Sequence, residues 1–252
     1  MSLQYTLGIL STVALFAPVF CLALLRLYRF RVYLALFIYC ILAFAYSLMT
    51  EDLINLPSRA ENLYGLINNL VDVPLMMIFL LLFAKSQRQR TWMIRLTVLY
   101  LVYELAVLLI MQKLDRDTIA VTMAPGLAMV LFYSISFFIH RARVAITYQK
   151  AHGKAILISA ILFAYVCFTF IYVMHYVLQI KATNDIFLLY YIVSLIYSTT
   201  LAIGLVVENR RIKKLEEVHT TRRELSEVFS KDRTERKKAV PGMETADYWR
   251  FN

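Results

Sequence analysis

Charge is what this sequence has least of. Lys, Arg, Asp and Glu together make up only 17% of its 252 residues, and hydrophobic residues make up 60%, arranged in long uninterrupted runs. With a mean hydropathy of +0.62, the chain is more apolar than a soluble core of this size requires. Cysteine is nearly absent: Cys21, Cys40 and Cys167 all fall inside apolar runs without metal-ligand spacing, so neither a disulfide framework nor a thiolate metal site is expected. Six glycines form no GxxxG, no Gly-rich phosphate loop and no GxSxG, which excludes the phosphate-cradling and nucleophile-elbow chemistries. Close helix contacts are then expected to use alanine and serine, as in Ala155-xxx-Ser159 and Ala160-xxx-Ala164. The four histidines, His140, His152, His175 and His219, form no HExxH and no close pair, so a membrane metalloenzyme is unsupported. No catalytic set, metal or cofactor is expected, and the chain does not read as an enzyme.

What is present is a set of apolar segments of helix length, at residues 5–25, 32–50, 63–84, 92–111, 118–139, 155–178 and 186–207. A β-barrel would instead alternate over about ten residues, and only closed barrels and helices satisfy the backbone in hydrocarbon. The fold class is therefore an all-α integral membrane protein, a seven-transmembrane-helix bundle. Charges segregate between alternate loops. Those after the first, third and fifth spans carry eleven basic residues and no acidic ones (Arg26 to Arg31, Lys85 to Arg95, Arg141 to Lys154). The opposite loops carry four basic residues against six acidic ones: Glu51, Asp52, Glu61, Asp115, Asp117 and Asp185. By the positive-inside rule the amino terminus is outside and the carboxyl terminus cytoplasmic. The first span has no basic residue before it and no small-residue cleavage pattern, and reads as retained. The net charge of +10 serves orientation and contact with anionic headgroups, so the partner is a lipid bilayer and not nucleic acid. Multi-pass insertion in a plasma membrane or bacterial inner membrane is expected.

Pro18, Pro74 and Pro125 each lie within a span, where a proline removes a backbone hydrogen bond and bends a helix. The division expected is a bundle over 1–207 and a basic tail over 208–252. From Glu208 to Asn252 there are twelve basic and nine acidic residues, with Ile212, Leu215, Val218, Leu225 and Phe229 in a broken helical stripe. This predicts that the last span continues as a cytoplasmic helix to about Arg236. It lies exposed or on the membrane surface, or else pairs with a cytoplasmic partner or a second copy through 208–236, although Arg222 interrupts the seam. The ending with Tyr248, Trp249 and Phe251 is expected to dock on the bundle, to lie on the inner leaflet, or to be disordered.

Two carboxyls stand in the spans, Asp72 and Glu104, both near the midplane. A carboxylate in hydrocarbon is kept only where it is neutralised, paired or wetted, so both are expected to face the interior near one another or in a shared cavity. Asn68 is one turn before Asp72, Asn69 follows it, and Tyr103 flanks Glu104. Tyr46 in the second span, His175 in the sixth, and Ser194 and Tyr197 in the seventh complete an expected outward-opening cavity that binds a small-molecule ligand or protons. The plainer reading of the two carboxyls is interhelical glue.

Seven spans with an external amino terminus match the topology of rhodopsin-like and other seven-helix receptors, a resemblance of topology alone. Retinal would need a lysine in the last span, and 186–207 has none. The functional expectation is a receptor-like or sensory membrane protein that binds a small ligand or ion in its outer half and signals from its cytoplasmic face. The alternatives are a proton- or cation-coupled small-solute carrier and a non-catalytic structural subunit.

Overall fold

The computed structural model describes residues 3–51, 53–54, 57–111, 116–148, 152–178 and 183–239. They form helices and short turns, with no strand among the described residues. The helices are α1 (Leu3–Leu24), α2 (Arg31–Thr50), α3 (Ser58–Leu80), α4 (Gln87–Met111), α5 (Arg116–Tyr148), α6 (His152–Tyr172) and α7 (Thr183–Ala239). All seven contain a stretch long and apolar enough to cross a bilayer. Several outrun the apolar runs that define them, because a helix continues past the hydrocarbon edge wherever no glycine or proline stops it: α4 starts at Gln87 and α5 ends at Tyr148. The expected loop charges Asp52, Lys113, Asp115, Lys150 and Lys181, and the terminal Tyr248, Trp249 and Phe251, lie outside the described residues.

The chain divides into two compact units, Met1–Asn209 and Arg210–Asn252. In the first, neighbours in sequence pack as antiparallel pairs, α1 on α2, α2 on α3, α3 on α4, α4 on α5 and α5 on α6, while α3 also meets α5. That places α3 in the middle of the bundle, where Met76, Met77, Phe79, Leu80 and Phe83 are fully buried. An aromatic chain links three helices there: Tyr33 lies 5.9 Å from Phe79, Phe79 5.8 Å from Phe83, and Phe83 6.1 Å from Phe137. Arg141 adds a bond from its guanidinium to the Phe83 carbonyl, at 3.3 Å. The outward faces are as apolar as the core, with Leu109, Ile110, Phe132 and Ile146 strongly exposed, as lipid contact requires. In the second unit Leu215, Val218 and Leu225 are exposed.

The expectation that alanine and serine carry the close contacts is corrected in part. Ala160 and Ala164 are buried, but single glycines make close approaches as well. A Cβ on Gly153 would stand 2.6 Å from the backbone nitrogen of Glu208, and one on Gly204 would stand 2.9 Å from the Leu157 side chain, so at both positions α6 and α7 come too close for any side chain but hydrogen on the glycine. A glycine needs no GxxxG partner when the opposing surface is another helix's backbone.

The helices remain helical through Pro18, Pro74 and Pro125. At Pro125 the missing amide hydrogen would leave the Val121 carbonyl four residues earlier without its helical partner. The Tyr103 hydroxyl donates to that carbonyl at 3.0 Å. On either side Tyr172 bonds the Ala120 carbonyl at 2.8 Å and Tyr100 reaches the Thr122 carbonyl at 3.3 Å. Three tyrosines from α4 and α6 thus supply donors around the α5 proline, as membrane helices require when their own ladder is broken.

Candidate functional site

A cavity of about 300 Å3 opens where α2 leads into α3 and α6 into α7, at the end opposite the basic loops. Its walls come from four helices: Tyr46, Ser47, Thr50 and Glu51 from α2 and its cap, Asn68 and Asn69 from α3, Ile171, His175 and Tyr176 from α6, and Tyr190 and Tyr191 from α7. The last turn of α6 widens into a π turn over Val173–Val177. Such a turn shifts side-chain register without a proline, and here it carries His175 and Tyr176 into the wall. Tyr46 lies parallel to Tyr64, 6.4 Å between centroids. Gly65 leaves room for it, since a Cβ there would press on the Tyr46 ring at 3.1 Å. Tyr190 stacks on Phe168 at 5.9 Å and bonds to Ser194 one turn deeper.

Beneath this cavity Asp72 accepts a 2.9 Å hydrogen bond from the hydroxyl of Tyr165, a side chain with no exposed surface. Asn68 and Asn69, a turn above Asp72 on α3, present amides to the cavity. Glu104 is 2% exposed and takes a long bond, 3.4 Å, from Tyr100, whose single hydroxyl proton is shared with the Thr122 carbonyl. Glu104, Thr118, Thr122 and Asn69 border a second void of about 20 Å3, room for one water with polar partners on several sides. Asp72 and Glu104 lie within electrostatic reach of one another, yet Asp72 lines neither space. Asn69 borders both.

The structure therefore gathers Tyr46, Asn68, Asn69 and His175 around one cavity and sets Asp72 and Ser194 below it. Tyr197, buried a turn deeper, faces Tyr39 across α2 and α7, though its hydroxyl has no hydrogen bond of good geometry. Tyr103 stands apart from this group: the residue is 36% exposed and its hydroxyl is spent on the Val121 carbonyl. Sequence reasoning passed over Tyr165, Tyr191 and Glu51. Tyr165 was within reach of it, since it extends the buried series Ile158, Ile161 at helical spacing. Glu51 counted only as a loop charge. It is the cap of α2, and its carboxylate reaches back over Gly8 of α1 and bonds the Tyr191 hydroxyl.

Compared with protein-family models, curated proteins and solved structures, the chain matches none. The class that its seven spanning-length helices define is that of a multi-pass integral membrane protein set in a lipid bilayer.

Proposed function

We propose that this is a receptor-like or sensory seven-helix membrane protein that binds a small ligand or ion in the outer half of its bundle and signals through its cytoplasmic face. The observation that carries the reading is the cavity, about 300 Å3, walled by amides, hydroxyls and an imidazole from four helices. That volume is at the lower end for small-molecule sites, and convergent polar groups on an apolar scaffold are what such sites use for orientation. The segregation of eleven basic residues to the opposite loops supports an external amino terminus and an external cavity, in a plasma membrane or a bacterial inner membrane. The segment 208–236, with Leu215, Val218 and Leu225 exposed, is where a cytoplasmic partner or a second copy would engage.

A proton- or cation-coupled carrier is the second reading, favoured by one observation: Asn69 borders both the outer cavity and the small void at Glu104, so polar groups continue from the cavity to a midplane carboxyl. The test of the first reading is a thermal-stability screen of the purified full chain against small polar molecules. A true ligand raises the melting temperature of the wild type and of Tyr103→Phe, and fails with Asn68→Ala and His175→Ala. A screen in which every stabilising compound acts equally on all four proteins would reject the cavity as the site. Uptake driven by a pH gradient in vesicles, lost in Glu104→Gln, would replace the receptor reading with the carrier.

A further inference from the structure

We propose that the ligand of this cavity is a small organic cation, an ammonium group on a compact apolar body; this rests on the reading of the cavity as a ligand site. Among the described residues, Glu51 is the only acidic one in the wall, and neither lysine nor arginine lines it. Four tyrosines, Tyr46, Tyr176, Tyr190 and Tyr191, surround the same space. A carboxylate among aromatic faces attracts a cation twice, by its charge and by the ring quadrupoles, and both attractions strengthen as water is displaced.

The position of Glu51 adds a third contribution. It caps the C-terminal end of α2, where the last helix carbonyls carry partial negative charge, so the helix itself disfavours a carboxylate there and favours a cation beside it. The carboxylate is nevertheless held in place. The absence of a side chain at Gly8 lets it lie against α1, and the Tyr191 hydroxyl bonds it. Its Oε1 is buried with no hydrogen-bond partner among the described residues. A half-buried, incompletely satisfied anion at a helix C-terminus is costly in the empty protein, and a bound cation offsets that cost. An anionic ligand would meet the same carboxylate and carbonyls as repulsion. Asn68 and Asn69 then orient the polar end of the ligand from α3.

The experiment uses choline and its uncharged isostere 3,3-dimethyl-1-butanol, titrated against the purified full chain in nanodiscs at constant ionic strength, with thermal stability as readout. Choline should stabilise saturably, and the isostere should bind about 10-fold more weakly or worse. Glu51→Gln, which keeps shape and should melt at or above the wild type without ligand, should erase the difference between the two probes, and Glu51→Asp should retain part of it. Equal binding of the two probes to the wild type, a cation preference that survives Glu51→Gln, or no binding of either probe would each overturn the proposal. If neither probe binds while another compound from the small-molecule screen binds and is lost in His175→Ala, the cation assignment fails and the ligand-site reading stands. If nothing in that screen binds, the ligand-site reading itself has failed.

Discussion

The bond between Tyr165 and Asp72 offers the sharpest energetic test. Tyr165→Phe removes one hydroxyl and leaves the ring, which packs edge-on against Phe168 at 6.0 Å. The side chain has no exposed surface and the donor–acceptor distance is 2.9 Å, so water cannot simply take the place of the lost donor from the Tyr165 side. Interhelical hydrogen bonds in membrane proteins average about 0.6 kcal/mol in double-mutant cycles and reach about 1.7. A bond to a carboxyl, the stronger kind of acceptor, belongs in the upper half of that range. The expected coupling between Tyr165→Phe and Asp72→Leu is therefore about 1–2 kcal/mol, measured from the reversible unfolding of the four proteins in mixed micelles. Each single variant should be less stable than the wild type, and the double variant should lose little beyond Asp72→Leu alone, because the same bond is broken once. A coupling under about 0.5 kcal/mol would refute the reasoning, since a bond of this geometry from a buried hydroxyl to a half-buried carboxyl would then contribute no more than a solvent-exchanged one.

Three other outcomes are expected. Gly153→Ala places a methyl 2.6 Å from the Glu208 backbone nitrogen, which cannot rotate away, and should cost about 1–3 kcal/mol of bundle stability in the same unfolding assay; an unchanged midpoint would mean α6 and α7 do not approach there. Tyr103→Phe should destabilise by about 1 kcal/mol, because it strips the donor from the Val121 carbonyl, and should be nearly silent in a Pro125→Ala background where the helix supplies its own donor; equal costs in both backgrounds would disprove that pairing. Single cysteines replacing Ser58 and Thr183 should react with an impermeant thiol reagent applied outside, and those replacing Lys150 and Ser230 only after permeabilisation; one site on the wrong side would overturn the orientation.

What the sequence by itself determined was the class of the chain and the number of its helices. Burying a helix in hydrocarbon leaves a signature, about twenty consecutive apolar residues, that depends on no partner and so can be read locally. The same physics made Asp72 and Glu104 conspicuous, since so few charges are kept at that depth. The faces of the helices were not legible, because lipid and core are equally apolar: Phe132 at 67% exposure and Phe137 at 1% stand five residues apart on α5 with the same side chain. Only the tertiary structure turned Tyr103 toward α5 to repair the Pro125 gap, brought Tyr165 from α6 to Asp72 across 93 positions of sequence, and opened the end of α6 into a π turn that carries His175. It also decided that Glu51, by spacing one more loop charge, lies back against Gly8 and enters the cavity wall. Those outcomes depend on which helices meet and how closely, a matter of packing between segments far apart in the chain, and a one-dimensional pattern of polar and apolar residues does not contain it.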